Sequence, residues 1–163
     1  MGLQRLISSN AIRIAPSDTI LIPNPTCVIS SGTNTSGGVS QLIDTGGLFI
    51  TRGLEIGDII YNVTNIIAPT VATVTGIVSE TTVNISANNF SVGAQNYVIY
   101  KSPLESGLAT SPTLYVGGSG SIYAETEGGQ LVVFSGVPVG FFNVFVRRVY
   151  ATNTTATNIV ALF

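Results

Sequence analysis

Ser121-Ile-Tyr-Ala-Glu-Thr-Glu127 is followed by Gly128-Gly129 and then by Leu131-Val-Val-Phe134, and this stretch has the clearest strand pattern in the chain. Successive side chains of a β-strand point to opposite faces, so Ile122 and Ala124 lie on one face, and the Tyr and Glu that follow them lie on the other. Glycine accepts the positive φ that a tight turn between strands requires. The stretch therefore predicts a β-hairpin with one apolar and one exposed face.

The same alternation recurs along the chain, and helical periodicity is nearly absent. No long stretch repeats apolar residues at i, i+3 and i+4, and β-branched residues dominate. Further strand-like runs are predicted at Ala11–Ile14, Thr19–Ile22, Leu48–Thr51, Asp58–Asn62, Val71–Val78, Thr82–Ala87, Tyr97–Tyr100, Leu114–Val116, Asn143–Tyr150 and Asn158–Phe163. Many short strands separated by turn residues favour an all-β sandwich or barrel.

Three stretches have the composition of joints between modules. They are a stiff Pro23-Asn24-Pro25, a low-complexity loop at Ser30–Ser40, and a connector with two Ser-Pro pairs at Lys101–Pro112. We therefore predict that residues 1–25 and 103–163 form one discontinuous β domain and that residues 26–102 form a module inserted into it.

The composition predicts a chain that is shielded by partners. Apolar residues make up 45% of its 163 residues and charged residues 9%, against roughly 25% charged in ordinary domains.

No apolar run reaches the ~18–20 residues of a membrane-spanning helix, so we expect no membrane partner. The N-terminus lacks an apolar signal core, which predicts synthesis in a cytoplasm.

The charge pattern argues against a nucleic-acid partner. The net charge is −2, and the chain has six basic residues, of which only Arg147 and Arg148 are adjacent. Neighbours on a regular strand point to opposite faces, so this pair predicts no basic patch. Binding to phosphates usually needs clustered basic side chains.

The usual chemistry of enzymes and metal sites is absent from the sequence. The chain has no His and one Cys, Cys27, which excludes His-based catalysis, an internal disulfide and a Cys-based zinc site. The glycine-rich Gly117–Gly120 lacks the full G-x-G-x-x-G spacing, and no helix follows it, so it predicts a turn. We expect no enzyme activity, catalytic residue, cofactor or metal.

One carboxylate pair deserves a separate interpretation. Glu125 and Glu127 are two residues apart on the predicted strand, which places them on one face about 6.5–7 Å apart. Two acids at that separation could serve glycoside hydrolysis. We favour the alternative, an exposed strand face that leads into the hairpin turn.

The last third of the chain resembles a known family. An ordered series of motifs follows Ala15–Thr19 along the chain. Its members are Thr113–Ile122, Glu127–Phe134, Gly136–Gly140, Phe145–Thr152 and Thr154–Phe163. This series resembles the spike-base and head-decoration proteins of tailed phages and gene-transfer agents. The resemblance implies a compact antiparallel β-sandwich, jelly-roll-like, at the foot of a capsid spike.

The inserted module has a resemblance of its own. Its motifs are similar to those of small β-barrel modules in phage virion proteins. They are Phe49, Gly53–Asn62, Ala72–Val78, Thr82–Ser86 and Tyr97–Tyr100. The two resemblances together imply a β-sandwich that carries an inserted small β-barrel.

The resemblance and the low charge lead to one functional hypothesis. We expect a virion structural protein, assembled in the host cytoplasm, that forms a homo-oligomer (a trimer or pentamer), contacts capsid or other virion proteins, and anchors a fibre protein. The alternatives are a tail, baseplate or neck component, or a glycan-binding module that uses Tyr61, Tyr97 or Tyr100. Candidate assembly or packing residues are Phe134, Phe141, Phe142, Phe145, Ile159, Leu162 and Phe163.

Overall fold

The computed structural model describes residues 9–104 and 111–163, and this part of the chain contains β-strands but no helix. The strands are Ala11–Arg13 (β1), Val28–Thr33 (β2), Gln41–Ile43 (β3), Ile59–Asn62 (β4), Thr70–Ser79 (β5), Thr82–Ile85 (β6), Asn96–Tyr100 (β7), Thr113–Gly118 (β8), Gly120–Thr126 (β9), Leu131–Val137 (β10), Gly140–Phe142 (β11), Val146–Val149 (β12) and Thr157–Leu162 (β13). The predicted all-β class is confirmed.

The first and last parts of the chain form two antiparallel sheets. One sheet has the order β1-β13-β8-β11 and the other the order β10-β9-β12. Alternate side chains of β8 and β13, such as Leu114 and Ile159, share one buried cluster with Ile122 of β9 and Val146 of β12. The fold here is a sandwich, because the inner faces of the two sheets bury these side chains.

The middle of the chain forms a curled, barrel-like sheet with the order β2-β7-β4-β5-β6-β3. Its two outer strands meet where the chain leaves β2. The N–H of Thr35 donates to the carbonyl of Ile43 at 2.8 Å, and Ser36 forms an isolated bridge to the same residue. This contact closes the curl, and the side chains of Phe49 and Phe90 fill its interior.

The barrel and the sandwich also share buried surface. Ile59, Tyr61 and Tyr100 of the barrel sheet belong to the same cluster as Leu114 and Ile122 of the sandwich. All strands of the barrel sheet lie between residues 28 and 100. The division into two domains stays a prediction.

Several sequence predictions are wrong in detail. The predicted loop Ser30–Ser40 includes most of β2, and Ser30 and Asn34 in it are buried. Leu48–Thr51 forms a turn instead of a strand, with a positive φ of 50° at Leu48. Both errors have the same cause, because pairing with distant strands and burial override local composition.

The hairpin predicted from residues 121–134 forms between β9 and β10. Gly129 has a φ of +83°, which supplies the left-handed residue of the turn. The prediction of a turn at Gly117–Gly120 is wrong: Gly117 and Gly118 belong to β8 and Gly120 to β9, and at this corner the chain passes from one sheet of the sandwich to the other. A Cβ atom on Gly120 would lie 2.4 Å from the backbone nitrogen of Ala156, so this corner requires glycine.

Candidate assembly surface

The outer strands of a sandwich are the places where another chain can pair. An N-terminal segment covers β12, since the N–H of Ser17 donates to the carbonyl of Val149 and the N–H of Ile22 to that of Arg147, both at 2.9 Å. This segment contains the predicted strand Thr19–Ile22, which does not form: Thr19 lies in a bend, and no residue of the stretch belongs to a sheet. The edge at β12 is therefore covered within the chain.

The edges at β10 and β11 carry exposed apolar side chains. These two strands are consecutive, and each is the outer strand of its own sheet. Exposed side chains here are Leu131, Val133, Val139 and Phe141, the last with 76% of its surface in contact with solvent. Exposed apolar side chains along outer strands, which are unpaired on one side, are a typical feature of surfaces that bind other protein chains.

Aromatic side chains of β8, β10 and β11 pack against one another in two pairs. Phe134 of β10 and Phe142 of β11 pack edge to face, with ring centroids 4.8 Å apart, across the two sheets. Phe141 packs edge to face on Tyr115 of β8, with centroids 5.6 Å apart. Such pairs contribute about 0.5–1.5 kcal/mol beyond the area they bury. The Phe134–Phe142 pair thus packs against the sandwich core, whereas the Phe141–Tyr115 pair lies on the exposed face.

The candidate residues from the sequence fall into two groups. Phe141 and Phe145 are exposed, the latter by 53%. The others contribute to packing to different degrees: Ile159 is buried, Leu162 is half-buried, and Phe134, Phe142 and Phe163 are half-buried and pack against the sandwich core. Among the candidates, Phe141 and Phe145 are therefore the ones that a partner can contact.

Sequence reasoning did not single out Leu131, Val133 and Val139. A signal was present, because Leu131–Phe134 is a run of four apolar residues. In such a run both faces of the strand are apolar, and only one can face the core of a two-layer sandwich. The face of β10 that carries Leu131 and Val133 must therefore meet solvent or a partner.

A β-bulge in β12 brings Arg147 and Arg148 to the same carboxylate. The register of β12 against β9 shifts between Val146 and Arg148, so Val146 and Val149 are both buried although they are three residues apart. Arg147 Nη1 lies 3.5 Å and Arg148 Nη2 lies 3.1 Å from the carboxylate of Glu125. The prediction that the two arginines point to opposite faces is wrong.

The two candidate acids lie in different surroundings. Glu125 is paired with both arginines, whereas Glu127 is exposed and follows the end of β9. Next to Glu125, Tyr123 and Tyr150 stack with ring centroids 4.4 Å apart. The outer face of β9 is thus a set of paired charges and stacked rings.

Asp18 ties the N-terminal segment to the end of β12. Its carboxylate accepts hydrogen bonds from the N–H and the hydroxyl of Thr152, at 2.9 and 2.7 Å. These bonds stabilise the ionised form and hold the pKa of the Asp18 carboxyl below its usual value. Arg148 Nη1 also donates to the Asp18 carbonyl at 2.9 Å, so the segment that covers β12 is held at its start.

The tyrosines considered for glycan stacking are not available to a ligand. Tyr61, Tyr97 and Tyr100 are all buried, and the hydroxyl of Tyr97 donates to Asp44 Oδ2 at 2.7 Å inside the barrel. The hypothesis that these rings stack on a sugar is therefore wrong. Strand alternation could not reveal this, because the barrel core buries one face of β4 and β7 and the sandwich core buries the other.

Residues 9–104 and 111–163 contain no apolar helix of membrane-spanning length. They also contain no cluster of three or more His, Cys, Asp or Glu side chains that could hold a metal ion.

The chain was compared with known proteins. No protein-family model matches it, and neither the search of curated proteins nor the search of solved structures found a match.

Proposed function

We propose that this chain is a virion structural protein, a capsid-associated spike base or decoration subunit that assembles with copies of itself and anchors a fibre. The observation that carries the proposal is the set of exposed apolar side chains on the neighbouring outer strands β10 and β11. A second copy that covers these strands would remove Phe141 and Leu131 from water.

The composition supports the same proposal. Only 9% of the residues are charged, so the chain has few of the side chains with which a lone subunit stays soluble. On the outer face of β9, Glu125 offsets one of the two positive charges of Arg147 and Arg148. A weakly charged surface with apolar strands is typical of subunits that remain assembled.

The ordered series of motifs in residues 113–163 supports the location on a virion. It is the basis for proposing a head-spike base in preference to a tail, baseplate or neck component.

Assembly can be tested by size-exclusion chromatography with light scattering. We expect the native chain to have a mass of three or five times 16.9 kDa at micromolar concentration. Phe141→Asp places a charge on the proposed interface, so we expect it to yield a folded monomer. Burying an unpaired charge in an interface costs several kcal/mol, which is enough to dissociate micromolar contacts.

The matched control is Val78→Asp, which places the same charge on β5 of the barrel sheet at a side chain that is 59% exposed. This variant should keep the mass of the native oligomer. A native chain that stays monomeric and soluble, or an oligomer that Phe141→Asp leaves intact, would contradict assembly through β10 and β11.

Labelling of the chain on purified parent particles tests the location separately. A label on the capsid supports a spike base or decoration subunit, and a label on the tail favours the alternative. Particles that carry no label would remove the virion role.

A further inference from the structure

One end of the barrel holds a groove of about 410 Å³ that is lined by amide side chains. The groove lies between the loop that joins β4 to β5 and the loop that joins β6 to β7. Its amides are Asn62, Asn65, Asn88, Asn89 and Gln95, accompanied by two threonines and one alanine. Its volume lies within the ~300–1,000 Å³ of small-molecule sites.

The lining carries no charge. Among the described residues that form it there is no Asp, Glu, Lys or Arg, and there is no aromatic ring. A charged ligand would find no counter-ion here, and an apolar ligand would leave the amides without partners. The groove is therefore suited to a neutral, polar ligand.

The two loops are held in place by hydrogen bonds to β4, β7 and Asn34. Asn62 Nδ2 donates to the carbonyl of Asn89 at 2.7 Å, which joins the end of β4 to the loop between β6 and β7. The N–H of Asn96 donates to Thr64 Oγ1 at 2.7 Å. The N–H of Gln95 donates at 2.6 Å to the side chain of Asn34, which is buried. The walls of the groove are thus formed before a ligand arrives, which lowers the cost of binding.

Two amide atoms of this lining have no partner. Asn89 Nδ2 and Gln95 Oε1 are buried without a hydrogen bond to any residue in the described part of the chain. Proteins leave few such atoms unpaired, so each calls for an explanation. Both residues are half-buried and line the groove, and the terminal torsion of an amide side chain is soft, so a rotation of the amide is the movement that would bring either buried atom to a ligand.

We propose that this groove binds a short neutral saccharide. A sugar hydroxyl both donates and accepts a hydrogen bond, and it can satisfy the donor of Asn89 and the acceptor of Gln95. The remaining amides supply more donors and acceptors for neighbouring hydroxyls. This site is independent of β10 and β11 and uses none of the buried tyrosines.

NMR titration of the ¹⁵N-labelled full chain tests the proposal. The probes are maltose, cellobiose, lactose and N,N′-diacetylchitobiose, added one at a time to about 50 mM, well above the ~1 mM dissociation constant of a weak site. At least one sugar should shift the side-chain NH₂ signals of Asn89 and Gln95 to saturation. Gln95→Met keeps the length of the side chain but removes the amide, and it should weaken that sugar's binding about tenfold.

The matched control is Gln41→Met, the same change at a half-buried glutamine on β3, where the amide donates to Asn84 outside the groove. Its sugar affinity should equal that of the native chain. If Gln95→Met does not fold, Asn88→Ala tests the groove at an exposed residue and should also weaken binding.

Three results would overturn the proposal. One is the absence of a saturable shift with all four sugars. Another is unchanged affinity in the groove variants. The third is a larger shift of the same signals with a capped dipeptide, N-acetylglycine methylamide, which would assign the groove to a peptide.

Discussion

At the scale of single residues, Asn34 shows how one buried polar side chain organises two loops. Its Nδ2 donates to the carbonyls of Ser36 and Val92 at 3.0 and 2.7 Å, and its Oδ1 accepts from the N–H of Gln95 at 2.6 Å. Its backbone also pairs with Gln95 and Ala94. Asn34 is 2% exposed, so water cannot replace these partners.

Asn34→Ala should therefore lower the free energy of unfolding by about 3 kcal/mol, since it removes three side-chain hydrogen bonds and leaves buried backbone groups unpaired. Urea unfolding measures the loss. Asn143→Ala, at an exposed asparagine between β11 and β12, is the control and should change stability by less than about 0.5 kcal/mol. Equal stabilities of the two variants would contradict this role of Asn34.

At the scale of elements, the β9–β10 hairpin forms the strand edge that we propose for assembly. Its turn depends on Gly129, whose φ of +83° is disfavoured for other residues. Gly128, its neighbour, has no positive φ, and the three atoms nearest to a Cβ atom there all belong to the flexible side-chain amide of Gln130. The two glycines of the predicted turn are thus not equivalent.

Gly129→Ala should lower the free energy of unfolding by about 1–2 kcal/mol because the Cβ atom of alanine is strained in the left-handed conformation. Gly128→Ala should cost less than about 0.5 kcal/mol. Thermal unfolding of both variants measures the difference. A larger loss in Gly128→Ala than in Gly129→Ala would show that the turn has another geometry.

At the scale of the whole molecule, buried tyrosines link stability to pH. Burial raises the pKa values of Tyr61, Tyr97 and Tyr100, and the hydrogen bond to Asp44 raises that of Tyr97 further. In the unfolded chain these hydroxyls ionise near pH 10. Above that pH the unfolded state releases protons that the folded state retains, so stability falls as pH rises.

Below about pH 10 these hydroxyls should not lower the free energy of unfolding. The chain should unfold within about one to three pH units above that value. Tyrosinate absorbance and far-ultraviolet circular dichroism should change together at that step. Tyr115→Phe, which removes an exposed tyrosine, should leave the step in place. Ionisation of all six tyrosines near pH 10 in a chain that keeps its native spectrum would contradict burial of the three.

Much of the fold could be predicted from the sequence. Alternation in Thr82–Ala87 and Ser121–Glu127 identifies β6 and β9, and the glycine pair after β9 identifies the hairpin. Burial of Ile159 and Ala161 follows from the same alternation in β13. These features depend on residues close together in the chain, which is why local patterns reveal them.

Long-range pairing decided the rest. Which strands are outer strands, and hence that Phe141 is exposed while Phe142 packs inward, depends on partners distant in sequence. The bulge that brings Arg147 and Arg148 to Glu125 arises from the register of β12 against β9. The all-β class, the hairpin and the shortage of charge follow from the amino-acid pattern alone. The exposed edges and the amide groove do not, because both arise where segments far apart in the chain meet.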